Sequence, residues 1–166
     1  MIQKSLMFGA AAAAAVFMAR SPLLAQDAGR SVWQGIYTDA QASRGQSAYG
    51  QNCAVCHGAT LGGTGEAPPL AGPEFNAIWN GLSVGELFDR IRSTMPFDRP
   101  GALSRETYAD ILSYVLKSNS YPAGASELST RSEVLATIRM EANRPTGSGA
   151  AQPASIVPAD PATSAK

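Results

Sequence analysis

The sequence is poor in the side chains from which most metal and redox centres are built: among its 166 residues only His57 is histidine, and only Cys53 and Cys56 are cysteine. A single imidazole excludes any site that needs two histidines from this chain. Two cysteines three positions apart exclude a disulfide framework, because closing so short a loop removes little entropy from the unfolded chain. Charged residues are few and balanced, 13 basic against 13 acidic. That balance leaves no electrostatic basis for binding nucleic acid or for holding a polybasic membrane surface. Long apolar runs are missing as well. The run from Leu6 to Ala19 spans 14 residues, short of the ~20 needed to cross the hydrocarbon core of a bilayer.

What is present divides the chain into unlike stretches. Residues 1–25 carry Lys4, the alanine-rich run and Ser21-Pro22-Leu23-Leu24-Ala25, the layout of a secretory signal cleaved near Ala25. Cleavage predicts a periplasmic protein with no membrane span in its mature form; an uncleaved anchor is the alternative. Residues 26–37 lack helical spacing and hold Trp33, Ile36 and Tyr37, as in an extended arm that lays aromatics on the domain. Residues 38–121 form the main domain. Residues 122–143 read as a turn and a short helix from Ser132 to about Glu141. Residues 144–166 are dominated by Pro, Ala, Ser, Thr and Gly, a composition that cannot offset the entropy of ordering it.

Within the main domain, Thr38 or Asp39 can cap a helix that runs to about Asn52, with Ala42, Gly45 and Tyr49 on one face. Between Gly58 and Gly81, glycines and Pro68, Pro69 and Pro73 predict a long loop. Ser83 and Glu86 form a capping box for a helix striped by Val84, Leu87, Phe88 and Ile91, which ends at Met95-Pro96. Ser104 caps a further helix carrying Tyr108, Ile111, Leu112 and Val115. No segment has convincing strand alternation.

The chemistry lies in Cys53-Ala54-Val55-Cys56-His57. Two thiols one helical turn apart match the two vinyl groups of a porphyrin, and the histidine that follows projects under the ring to bind iron. The motif predicts one haem c, covalently attached through Cys53 and Cys56. A zinc site would need about four protein donors, more than this chain offers near the motif. A thioredoxin-type pair would need a βαβ setting that is absent here.

Because His57 is the only imidazole, the second axial position falls to methionine, to a less usual ligand such as lysine, or to nothing. Removal of the signal leaves Met95 and Met140. Met95 lies 38 residues beyond His57 in a proline-bounded loop, with enough slack to wrap over the opposite face. Met140 suits the gap-filling core role common to helical methionines. The metal ligands expected are therefore His57 and Met95. A metal-bound imidazole usually donates its other N–H to an acceptor, and the carbonyl of Pro68 or Pro69 can serve.

Gly45-Gln46-Ser47-Ala48-Tyr49 before the haem motif, Pro68-Pro69-Leu70, Met95-Pro96 and Ile111-Leu112-Ser113-Tyr114 resemble the class I, mitochondrial-type cytochromes c over about residues 38–118. The resemblance implies an all-α class I cytochrome c fold, roughly three to five short helices wrapped around one covalently bound haem. It also implies a crossing of first and last helices at Gly45, Tyr49, Ile111 and Tyr114, a histidine-orienting carbonyl at Pro68, and haem packing by Leu70. The arm from Ser31 to Thr38 and the run from Leu87 to Pro96 are similar to cytochromes associated with bacterial PQQ-dependent (quinoprotein) dehydrogenases.

The expected function is one-electron transfer rather than catalysis, because iron held by His57 and Met95 has no open position. Electrons would come from a dehydrogenase and pass to an oxidase or another cytochrome, the protein acting as a free monomer. The alternatives are a subunit fixed in a dehydrogenase complex, or an open-site haem enzyme or sensor if Met95 only packs.

Overall fold

The computed structural model describes residues 29–146. The expected signal segment, the first residues of the arm and residues 147–166 of the expected tail lie outside the described residues.

Thr38 starts the first helix, α1 (Asp39–Asn52), by accepting the Gln41 N–H on its side chain at 3.1 Å. A single turn, α2 (Ala54–His57), follows directly after Cys53. Next come α3 (Pro73–Trp79), α4 (Val84–Thr94), α5 (Arg105–Ser118) and a last turn, α6 (Ser132–Leu135). The Ser83 hydroxyl accepts the Glu86 N–H at 3.1 Å while the Glu86 carboxylate accepts the Ser83 N–H at 2.6 Å, so the capping box that opens α4 is complete. Ser104 caps α5 through the Thr107 N–H at 3.1 Å.

The fold is the helical cytochrome c arrangement expected, with six α-helices among the described residues instead of three to five. Two reasons account for the difference. The cysteine motif itself turns once as α2, and α3 rises inside the stretch expected to be loop throughout. Pro73 occupies the first turn of α3, where its missing N–H would have had no helical partner and its fixed φ suits the helix.

The most extensive helix contact is the crossing of α1 and α5. A Cβ at Gly45 would fall inside the carbonyl of Asp110 on α5, so only glycine permits this approach. Beside the crossing, the rings of Tyr49 and Tyr114 stand 5.4 Å apart, and Ile111 and Leu112 are buried. Arg44 spans the same seam on the outside, donating to Asp110 at 2.9 and 3.0 Å and to Glu127 at 2.8 Å.

The arm and the C-terminal segment depart from expectation together. The arm is not extended throughout: Arg30–Ser31 is a short strand, β1, and Val32–Gln34 is a 3-10 turn. The segment after α6 does not continue as helix to Glu141 but becomes β2 (Ile138–Arg139), which pairs in parallel with β1. Arg30 is in register with Ile138 and Ser31 with Arg139. Val32, Ile36 and Tyr37 are buried, the Trp33 indole donates to the Glu141 carbonyl at 2.8 Å, and the Tyr37 hydroxyl donates to the Tyr121 carbonyl at 2.6 Å. Met140 is buried in this layer, its backbone paired with Gly81 and Leu82. Among the described residues no helix is long and apolar enough to cross a membrane.

Candidate functional site

Cys53 closes α1, its N–H donating to the Tyr49 carbonyl at 2.8 Å, and at once opens α2. The N–H groups of Cys56 and His57 both return to the Cys53 carbonyl, at 3.2 and 2.9 Å. This single turn sets the two cysteines one turn apart. Both are free, Cys53 half-buried and Cys56 exposed. Burial pushes the Cys53 thiol up to about 11, with the nearby Arg99 guanidinium drawing it back and Cys56 raising it further. A thiol so protonated at neutral pH is a poor nucleophile for disulfide exchange, which disfavours the thioredoxin-type reading.

His57 is buried at 6 % exposure, and its Nδ1 lies 2.9 Å from the Pro68 carbonyl. A carbonyl oxygen can only accept, so Nδ1 carries the proton and donates it. Nε2 is left with the lone pair, the form in which an imidazole binds a metal. The surrounding loop is built to keep that geometry. Gly58 leaves α2 at φ +77°, a conformation side chains avoid, and its carbonyl accepts the Tyr49 hydroxyl at 2.7 Å. Gly63 N–H donates to the His57 carbonyl at 2.9 Å, and the Thr64 hydroxyl donates to the Cys56 carbonyl. Leu70, half-buried against the core, is pinned where its N–H meets the Leu61 carbonyl at 2.8 Å and its carbonyl accepts Asn119 Nδ2 at 2.9 Å.

Met95 caps the C-terminus of α4 in an extended conformation, half-buried, with a cis bond to Pro96. Its carbonyl accepts the hydroxyl of Tyr108, from α5, at 2.6 Å. The loop it opens reaches the cysteine motif through Arg99, whose Nη2 donates to the Asn52 side chain at 2.9 Å, one residue before Cys53. The structure thus gathers Cys53, Cys56, His57 and Pro68 around α2, holds Leu70 two residues further along the loop against the core, and brings the Met95 loop against the same end of α1. Met140 lies in the arm layer instead.

Sequence reasoning missed the residues that hold these pieces. Tyr108 was expected only as one of the apolar stripe of α5, and nothing in its spacing announces a partner on the Met95 loop. Asn119, which anchors the Leu70 and Gly72 backbone at 2.9 and 3.0 Å, and the Arg99 to Asn52 bond are equally silent before folding.

The donor set suits an iron macrocycle better than a bare ion. Among the described residues no three His, Cys, Asp or Glu side chains gather closely enough to hold a metal by themselves. A porphyrin brings four nitrogens of its own and asks the protein for axial donors and two thiols.

Comparison with known proteins bears on the same segment. Residues 40–115 match the family model described as cytochrome c oxidase, cbb3-type, subunit III. No curated protein matches the chain. Among solved structures, one chain of the sulfane dehydrogenase SoxCD from Paracoccus pantotrophus is similar, at 22% identity and a TM-score of 0.45. That match covers 64% of this chain and 60% of the other, so the chain spans less than two thirds of the length of that relative. The cysteine motif, the Gly45 crossing and the Met95 loop all fall within residues 40–115, the segment over which this chain is similar to a c-type cytochrome domain, the kind that carries haem for electron transfer.

Proposed function

We propose that the chain is a mono-haem electron carrier of the periplasm, with haem c bonded to Cys53 and Cys56 and iron held between His57 and Met95. The observation that carries this reading is the His57 geometry: Nδ1–H is committed to the Pro68 carbonyl at 2.9 Å, so the chain's one imidazole presents a fixed Nε2 lone pair. Haem supplies a one-electron ferric/ferrous couple. His57 and Met95 would hold the iron and keep small ligands out, and a thioether donor would favour a raised reduction potential. Leu70 is held against the core in the Pro68 loop, and Tyr108 holds the loop that carries Met95.

The donor is a dehydrogenase, quinoprotein enzymes being the class suggested by resemblance, and the acceptor an oxidase or another cytochrome. The aromatic residues of the arm are spent on internal contacts to Tyr121 and Glu141, which supports a free carrier over a fixed subunit docked through that arm. Brief encounters of the low-area kind suit such a protein.

The test is the visible spectrum of the holoprotein, reduced with and without carbon monoxide. A weak sulfur-to-iron band in the red of the oxidised form, and no carbon monoxide binding on reduction, are expected. Met95→Ala abolishes the band and admits carbon monoxide; Met140→Ala changes neither. Rapid carbon monoxide binding by the unmodified protein would instead mark an open-site enzyme or sensor.

A further inference from the structure

A cleft of about 630 Å³ opens where β1, β2 and the start of α4 meet, in the layer formed by the arm and the C-terminal segment. Arg30 lines it from β1, Arg139 from β2, and Ser83 and Glu86 from the start of α4. None of the residues expected to touch haem takes part. The register sets Arg30 opposite Ile138 and Ser31 opposite Arg139, so the two arginines stand on adjacent strands one residue apart. Like charges that close are unfavourable unless an anion lies between them.

No such anion is supplied by the described residues. Both arginines are exposed and neither forms an ion pair among them. Arg139 spends one N–H on the Gly81 carbonyl, while the Arg30 side chain bonds to no described residue. The one carboxylate in the cleft belongs to Glu86, whose Oε2 already accepts the Ser83 N–H at 2.6 Å and the Ser83 hydroxyl at 2.8 Å.

An apolar shoulder adjoins the cleft. The Met140 N–H donates to the Leu82 carbonyl at 2.8 Å, which sets Leu82 beside Arg139, and the Leu82 N–H returns to the Trp79 carbonyl at 3.1 Å, which brings Ile78 within a turn. Ile78 is 55% exposed and Leu82 39%. Arginine bordering adjacent exposed aliphatic side chains suits a protein interface better than a solvated face.

We propose that this cleft binds an extended acidic segment of a partner protein, its carboxylates paired with Arg30 and Arg139 and an apolar side chain resting on Leu82 and Ile78. Charge selects an anion, and shape selects a chain. A planar bilayer cannot enter a recess, and a small anion would leave most of the volume unfilled. The aromatic side chains of the arm are spent internally, so what the arm offers outward is charge. The 11 residues of α4 separate the cleft from Met95 by about 16 Å, and a partner held here leaves the Met95 end free for electron exchange. Two charge pairs on so small an area give a weak, salt-sensitive contact, which suits a carrier that binds and leaves. The site goes beyond the carrier reading and stands whether or not Met95 binds iron.

The test titrates isotope-labelled holoprotein with a blocked pentapeptide, four glutamates around a central leucine, and follows backbone amide shifts by NMR. Shifts centred on Arg30, Ser83, Thr137 and Arg139 are expected, with binding that weakens several-fold between about 0.02 and about 0.15 M salt. Arg30→Gln and Arg139→Gln should each weaken it at least about fivefold, whereas Arg90→Gln, which removes an exposed charge from the middle of α4, should change it less than about twofold. The haem spectrum should be the same in all three. Arg30→Gln decides if Arg139→Gln disturbs the fold, because the Arg30 side chain makes no bond to lose. Equal weakening by Arg90→Gln, or shifts centred on the Met95 loop, overturns the proposal. So does citrate binding as tightly as the peptide, or Arg30-dependent binding to vesicles of anionic phospholipid. Asp27 precedes Arg30 by three residues and lies outside the described residues. If Asp27→Asn binds the peptide at least about tenfold more tightly than wild type, the occupant is the chain's own N-terminal segment and the partner proposal falls.

Discussion

The crossing of α1 and α5 and the layer formed by the arm with the C-terminal segment are held by different physics. At the crossing two backbones meet over Gly45, and rigid aromatic and aliphatic side chains fill what space remains. In the outer layer, contact is made through long-range bonds from side chain to backbone: Trp33 to Glu141, Tyr37 to Tyr121, and the buried Gln41 amide, which both donates to and accepts from Leu128. The crossing lies inside the segment shared with the cytochrome family, whereas most of the outer layer lies outside it. A close backbone approach tolerates no variation in volume, while a set of hydrogen bonds can be built or lost one at a time.

The largest expected effect tests that contrast at its hardest point. Gly45→Val places side-chain carbon where the Asp110 carbonyl already stands, and neither helix can retreat without unpacking the core. Destabilisation of at least about 4 kcal/mol, or failure to recover folded holoprotein, is expected from denaturant unfolding. A loss under about 1 kcal/mol would show that the crossing has slack. In the outer layer Leu135, fully buried from α6, offers an ordinary cavity. Leu135→Ala is expected to cost about 2–5 kcal/mol in the same measurement, with the haem spectrum unchanged; a spectral change would mean the layer reaches the site.

Legibility followed the same division. The cysteine motif, the capping box at Ser83 and Glu86 and the stripe of α5 lie in local spacing, and local spacing survives into the fold, whereas the crossing at Gly45 was implied by the family resemblance. Illegible features depend on partners far away in the chain. A two-residue strand has no alternation to detect, so β1 and β2 exist only because residues near opposite ends of the described chain lie side by side. α3 was hidden because its glycine and proline neighbours are loop formers in bulk, while Pro73 at its first turn favours the helix. Of the candidate site, the residues expected to touch haem were named from sequence, and the hydroxyl and amide groups that hold their backbones were not.

A smaller effect is expected from alkali. Burial, with a lesser contribution from Asp39, pushes the Tyr37 hydroxyl up to about 12 from an ordinary 10.0. Since the folded state binds this proton more tightly, the stabilisation is complete below about pH 10 and is lost as pH rises toward about 12. Tyr37→Phe removes the titrating group, so the variant's denaturant midpoint should fall less steeply through that window. Equal slopes would mean that the tyrosine ionises as it does in the unfolded chain.

The finest comparison sets two tyrosine hydroxyls against each other, each donating at 2.6 Å to a backbone carbonyl, Tyr37 to Tyr121 in the outer layer and Tyr108 to Met95 at the site. Phenylalanine at either position should cost about 1 kcal/mol, the net worth of such a bond plus the acceptor left unpaired. The consequences should nonetheless differ. Without Tyr108, the Met95 carbonyl keeps only the Gly101 N–H at 3.4 Å, and the loop opens as a unit before the helices do. Tyr108→Phe is therefore expected to lose the sulfur-to-iron band at a lower temperature than its helical signal, with carbon monoxide binding appearing in the interval. Tyr37→Phe should lower both transitions together. If Tyr108→Phe also melts in one step, the Met95 loop is not separately held, and its placement follows from the helices alone.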